Sequence, residues 1–403
     1  MCSSHRHILL VAALSVFSGC ASVIDMTRDL ARDLSDIDVA GISGGLLGSE
    51  VVALSPEQLA QLAAIPRAQP LWQNGLEESS AMGFSPVFEN GAVYATGMNG
   101  HLVRIDPVTG RQLGTVNTHR QLSGGVGSGN GLLLVGTLKG EVLAYGDKDG
   151  KALWTAQVST EVLSPPHANN GMVVVRTGDG RIFSLDADSG KRKWVYQGAT
   201  PSLTVRSFAG VLISRDMVFA GFAGGKLVAI NITNGSIVWE AVVSRPRGAT
   251  ELERITDITS LPVADEHQIC AVAYQGRVAC FEISNGNQIW ARDVSSNAGL
   301  AMDNNYVYVS EDKGAVVAYD KRDGASIWKQ ELLNGIRLSP PLIQGTHVVV
   351  GDSQGHVNLL RNDTGSIVAR SATDGSAIIA RPASLSHGFL VQTMKGGLYA
   401  FSM

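Results

Sequence analysis

Five times along this chain a glycine is followed, fourteen residues later, by a tryptophan: Gly140 and Trp154, Gly180 and Trp194, Gly225 and Trp239, Gly276 and Trp290, Gly314 and Trp328. One pattern fills the interval. An apolar run leads to an acidic or polar residue, then to a turn dipeptide ending in glycine, as in GRIFSLDADSGKRKW (180–194). Two degenerate copies keep the frame, Gly100 to Gly114 and Gly355 to Ala369, and Gly396 opens a copy that ends with the chain. The ring missing from that copy is Trp72, 28 residues before Gly100, so all six tryptophans fill one slot.

A period near 40 with strand-like alternation and tight turns implies a radial repeat of small sheets. MVVVRTGDGRIFSLD (172–186) reads as a hairpin turning at Gly178-Asp179-Gly180. A second turn follows at ADSG (187–190), then the strand that carries the tryptophan. Segments such as LSPPHAN (163–169) and LSPPLIQ (338–344) supply an inner strand before each hairpin. The expected fold is all-β: an eight-bladed β-propeller of four-stranded blades. The N-terminal segment around Leu71 and Trp72 gives the last blade its outer strand, and residues 376–403 give the other three. Such closure leaves the ring without an open end. A blade cannot bury both faces alone. A large flat side chain at one recurring position fills the wedge between neighbours. Trp72, Trp154, Trp194, Trp239, Trp290 and Trp328 are therefore expected to dock blade on blade, not to carry chemistry.

Composition agrees. Forty-six glycines among short Val/Ile/Leu runs suit many turns between short strands. A net charge of −4 advertises no basic face for nucleic acid.

The N-terminus reads as a targeting segment. A weakly basic HRH (5–7) precedes ten apolar residues, ILLVAALSVF (8–17), too few to span a bilayer but suited to a signal h-region. The following SGC resembles the lipobox of bacterial lipoproteins and would make Cys20 the lipidated residue, although Phe17 stands where leucine is usual. A plain signal peptide with a chance cysteine is the alternative. Ala21, not aspartate, follows, so nothing resembles an inner-membrane retention signal. The expected division is a signal peptide over 1–19, a lipidated and flexible tether over 20–67, and the propeller over 68–403. Within the tether, SPEQLAQLAAI (55–65) offers Ser55 as N-cap and Pro56 at the first helical position.

Cleavage removes Cys2 and lipidation takes Cys20, which leaves Cys270 and Cys280 flanking AVAYQGRVA (271–279). A turn centred on Gln275 sets them opposite one another. A disulfide and two buried thiols both remain open. No second pair exists to make a zinc site.

The glycine-to-glycine periods run 40, 40, 45, 51, 38, 41 and 41. The two long ones are adjacent, and both insertions join one blade's outer strand to the next blade's inner strand. They read YQGATPSLTVRSFAG (196–210) and SRPRGATELERITDI (244–258) and emerge side by side on one face. Rigid scaffolds tend to carry function in such loops, although surface loops also tolerate insertion at little cost. The first offers Leu203, Val205 and Arg206. The second offers Arg245, Arg247, Glu251, Glu253, Arg254 and Asp257. An apolar pair beside an arginine, next to a charged loop, has the composition of a protein-binding patch.

The six tryptophans with their turns resemble the quinoprotein-type, tryptophan-docked propellers. More closely, PSLTVR (201–206), GATELERITDI (248–258), VAYQGRVACFE (272–282) and VVVGDSQGHV (348–357) resemble the BamB family of outer-membrane assembly lipoproteins. That resemblance implies a non-enzymatic propeller without cofactor or metal, lipid-anchored at the periplasmic face of the outer membrane. It implies binding to the POTRA domains of BamA, and through BamA to the rest of the barrel-assembly complex. Nascent outer-membrane proteins held along exposed strand edges are a further partner to consider. The family's apolar-x-apolar-Arg motif falls on Leu203, Val205 and Arg206. Its pair of acidic residues separated by one falls on Asp257 and, in a departure, Thr259; Glu251 and Glu253 stand nearby to compensate. Two other readings compete. One is an adaptor for another envelope protein, using the same loops. The other is a pyrroloquinoline-quinone dehydrogenase, which argues poorly with a chain that lacks adjacent cysteines and whose histidines (His101, His119, His167, His347, His356) are scattered.

Overall fold

The structure, a computed structural model, describes residues 54–76, 84–198, 201, 203–205 and 208–403. Eight four-stranded antiparallel sheets follow one another along the chain as blades 1 to 8. Blade 3 is representative, running from His167–Asn169 innermost through Met172–Arg176 and Arg181–Asp186 to Arg192–Gln197 outermost. Its two middle strands are fully buried at Val173, Val174, Val175, Ile182, Phe183 and Leu185 because blades pack on both their faces. The β-branched residues that dominate these runs suit a pleated, two-sided surface.

Every outermost strand carries a register shift just before the tryptophan slot. In blade 3, Ser184 pairs with Trp194 but Leu185 pairs with Arg192, which leaves Lys193 unpaired. The same bulge falls on Leu71, Leu113, Leu153, Val238, Ile289, Ile327 and Val368. An extra residue re-aims the side chain that follows it. Here it turns the ring out of its own blade and onto the next.

Each tryptophan lands on a tight turn of the following blade. The indole N–H donates to Pro107 O from Trp72 (2.8 Å), Ala187 O from Trp154 (2.8 Å), Ile232 O from Trp194 (2.7 Å), Ile283 O from Trp239 (3.0 Å), Lys321 O from Trp290 (2.8 Å) and Asn362 O from Trp328 (2.9 Å). Three residues beyond each carbonyl is the turn glycine on which the ring lies, such as Gly286 beneath Trp239. Glycine is required there twice over. Gly286 has φ +76°, and a Cβ would lie 2.7 Å from the indole. Gly286→Ala is therefore expected to cost more than about 2 kcal/mol, from left-handed backbone plus overpacking. Gly91→Ala is the control for urea denaturation, since Gly91 has φ +77° with nothing within 4 Å. It should show the backbone cost alone.

Two interfaces lack a tryptophan. Between blades 1 and 2, Val116 takes the place of a ring against Gly150. Between blades 7 and 8, where Ala369 fills the slot, the N-terminal segment steps in. Pro66 O accepts from Arg370 N (2.9 Å), Ala68 exchanges hydrogen bonds with the Ser371 hydroxyl (2.7 and 3.0 Å), and Ala68 packs beside Phe389 and Phe401. A buried ion pair, Arg370 Nη1 to Asp352 Oδ2 at 2.9 Å, lies in blade 7 at this position. Pro70–Gly75 then pairs with Gly397–Ser402 and completes blade 8, with Trp72 opposite Ala400.

The segment before it is not a free tether. Pro56–Ala64 is a helix with a reciprocal capping box between Ser55 and Gln58. Gln58 Nε2 also reaches Leu332 O (3.4 Å) and Asn334 O (3.3 Å), and Leu62 is buried against Leu333 and Ile336. Residues 54–68 thus belong to the propeller body. Of the two arrangements left open for the cysteines, the structure has the disulfide, with Cys270 directly opposite Cys280 and both fully buried in blade 5.

Candidate partner-binding site

The connections from outermost to next innermost strand all leave on one face of the ring, together with the turns between second and third strands. The two insertions therefore share this face. The first runs from Gln197 at the end of blade 3 to Leu212 of blade 4, the second from Val242 of blade 4 to Val263 of blade 5.

Asp257 binds them together. Its Oδ2 accepts from Val205 N of the first insertion (2.7 Å), and its Oδ1 from Gly224 N in a turn of blade 4 (2.9 Å). Its own carbonyl accepts from Tyr274 N (2.8 Å). Asp257 is 3% exposed. The sequence reading sets it among partner-facing residues; the structure buries it instead, where it holds the first insertion in place. Its neighbours anchor the second insertion. Ile255 and Ile258 are buried, and Ile258 fills the space that a side chain at Gly221 would need. Thr259, in the position of the second acidic residue, donates to Asn297 O (3.3 Å).

The base of the first insertion is held from below. Buried Arg176 donates to Ala209 O (3.4 Å) and lies 5.2 Å over the Phe222 ring, which in turn meets Tyr196 edge-on. Burial draws the Arg176 pKa down to about 10. On this base Leu203 stands 43% exposed and Val205 is half-buried. Arg206 and the lipidation candidate Cys20 lie outside the described residues.

The tip of the second insertion is a small self-capped turn. Glu253 Oε2 accepts from Ala249 N (2.8 Å) and Thr250 N (3.1 Å), and Thr250 Oγ1 accepts from Glu253 N (3.2 Å). Hydrogen bonds from Thr250 and Ala249 hold the Glu253 carboxyl below its ordinary pKa. Glu251 and Arg254 form an exposed pair at 3.9 Å, which contributes little by itself. Leu252, 59% exposed between them, is a residue that the sequence reading passed over. Its signal was a lone aliphatic inside TELER, hard to distinguish from a residue packed beneath its loop.

Asp257→Ala removes the acceptor for two amides. It should raise hydrogen exchange at Val205 and Gly224 well above wild type while the blade cores stay protected, since each orphaned buried donor costs about 1–3 kcal/mol. Unchanged exchange at Val205 would mean that the carboxylate does not fasten the loop.

Fold and site together define a class: a tryptophan-docked propeller that presents one joined pair of loops. Comparison with known proteins narrows it. The profile of the family described as outer membrane protein assembly factor BamB matches residues 98–330 and 312–403. A protein of that description from Nitrosomonas eutropha is 50% identical over 98% of this chain and 94% of its own length. One from Burkholderia pseudomallei is 40% identical over 98% and 97%. The crystal structure of BamB from Moraxella catarrhalis superposes with a TM-score of 0.77 at 25% identity, covering 83% of this chain and all of that one. A quinohemoprotein alcohol dehydrogenase from Comamonas testosteroni gives 0.68 at 14% identity, a likeness of fold alone. The chain belongs to the BamB family.

Proposed function

We propose that this chain is a non-enzymatic scaffold in the assembly of outer-membrane β-barrel proteins, and that it binds the periplasmic POTRA domains of BamA through its two joined insertions. The observation that carries the site is the Asp257 staple, which holds an exposed Leu203 and a half-buried Val205 beside a second, charged loop. An apolar contact ringed by charge is the make-up of an interface hot spot. Leu203 and Val205 bury against the partner, Arg206 makes charge-assisted bonds at its edge, and Glu251, Glu253 and Arg254 form the polar rim. BamA links the chain to the remaining subunits of the complex. A lipid on Cys20 anchors it to the outer membrane, at the periplasmic face.

The test is an affinity pull-down of the mature protein from solubilised outer membranes, read by mass spectrometry. BamA is expected with the wild type and lost with Leu203→Ala/Arg206→Ala. Equal recovery from both would overturn the site assignment. An adaptor for a different envelope protein would bring down another partner through the same loops. A quinone-dependent enzyme would show dye-linked dehydrogenase activity after reconstitution.

A second reading concerns nascent outer-membrane strands. Six of the eight bulge residues at the rim are exposed aliphatics: Leu71, Leu113, Leu153, Val238, Ile289 and Ile327. An exposed apolar residue beside a strand edge suits addition of an extended chain. Site-specific crosslinking from Leu153 and Ile289 that captures no unfolded barrel protein would remove this reading.

A further inference from the structure

Arg381 stands just before Ala383–Leu385, the innermost strand of blade 8. Yet its Nη2 donates to Leu300 O, 2.7 Å away, on Gly299–Met302, the innermost strand of blade 6. Blade 7 lies between, since its innermost strand Leu342–Gln344 neighbours both of the others. The side chain therefore crosses the axial opening of the ring, on the face where the insertions emerge.

This guanidinium has no carboxylate among the described residues. The acids on the neighbouring turns are engaged elsewhere. Asp312 accepts from Asn297 N and the Ser295 hydroxyl, Asp352 holds Arg370, and Asp374 holds Ser376 and Thr393. Burial alone pulls its pKa down to about 10. An arginine carries five donors, and one is accounted for. By its surface accessibility Arg381 is half-buried, and a partly desolvated cation in that condition favours a partner that offers paired acceptors.

A second observation points to the same place. Ser260, 6% exposed, has a hydroxyl without a hydrogen-bond partner. It faces Gly299, the residue before the carbonyl that receives Arg381, so closely that a Cβ at Gly299 would lie 3.2 Å from that hydroxyl. Small residues also enter the innermost strands of other blades, Ser164, Gly210 and Ser339 among them.

We propose that this axial mouth is an oxyanion site, in which Arg381 binds a carboxylate or phosphate group and the Ser260 hydroxyl donates beside it. The planar fork of arginine matches both groups through two parallel N–H···O bonds. Ser260, at the end of the second insertion, borders the site, which does not depend on the identity of the partner that the insertions bind.

The test is calorimetric titration of the mature protein with inorganic phosphate and, separately, with succinate, each at ionic strength matched with chloride. Saturable binding of one probe is expected, and which one binds separates phosphate from carboxylate ligands. Arg381→Gln should weaken that binding by about tenfold or more, the loss of a charge-assisted pair. Ser260→Ala should weaken it several-fold and keeps the test open if the arginine variant fails to fold. Arg322→Gln, which removes an exposed guanidinium paired with Asp320 on an outer turn of blade 6, should leave it unchanged. Absence of saturable binding of either probe to the wild type would overturn the proposal. So would equal binding to wild type and both Arg381→Gln and Ser260→Ala, or equal loss in Arg322→Gln.

Discussion

Trp290→Ala should lower the free energy of unfolding by about 3–5 kcal/mol, the range for truncating a large buried aromatic. The ring is 4% exposed, lies on Gly324 of blade 6 and packs 6.1 Å from Tyr319, while its N–H holds Lys321 O. Truncation opens a cavity between blades 5 and 6 and leaves a turn carbonyl without its donor. Trp154→Ala removes the matching turn contacts, to Gly190 and Ala187 O, from a ring that is only half-buried, so its cost should be smaller. Urea denaturation of both variants checks the ranking. Equal losses would mean that the tryptophans act through something other than the packed wedge.

The second large effect concerns blade 7, at the interface where the chain's N-terminal segment stands in for a tryptophan. Asp352 is fully buried in blade 7, where it accepts from Arg370 Nη1 (2.9 Å), Asn358 Nδ2 (3.2 Å) and the backbone N–H groups of Gln354 and His356 (both 2.9 Å). Asp352→Ala leaves Arg370 buried without its counter-charge and should cost about 3–5 kcal/mol. A double replacement, Asp352→Leu with Arg370→Met, should cost less than the sum of the single changes, because it removes both charges together. Burial pushes the Asp352 pKa up, but the His356 hydrogen bonds, the Arg370 charge and Asn358 outweigh it, so the carboxyl titrates below its ordinary value. The sign follows. A depressed folded pKa contributes stability that is complete above the unfolded value of about 3.9 and is lost as pH falls through the folded value. Wild type should therefore lose stability below about pH 4 more steeply than the double variant. Parallel acid limbs would place the acid sensitivity elsewhere.

What could be read from the residues was whatever the repeat made periodic. The fourteen-residue interval located every blade, and Trp72, out of sequence with the rest, gave the closing strand. Lengthened periods located both insertions. Ser55 and Pro56 form the helix start that their positions imply. The remainder depends on partners far apart in sequence. Gln58 caps its own helix and also holds Leu332 and Asn334, more than 270 residues away, so a segment that reads as a tether is packed. Asp257 sits in a charged, loop-like stretch that suggests exposure, and only its bonds to Val205 and Gly224 reveal an internal role. Arg381 carries no local signal, because its meaning lies on the inner strand of another blade.

The most direct test of the account is calorimetric binding of the purified mature protein to the complete periplasmic POTRA region of BamA, wild type beside Leu203→Ala and Asp257→Ala. Binding to the wild type is expected, with a loss of about tenfold or more in each variant, one through the lost contact and the other through the released loop. Wild-type affinity in both variants would place the partner site on another face of the propeller.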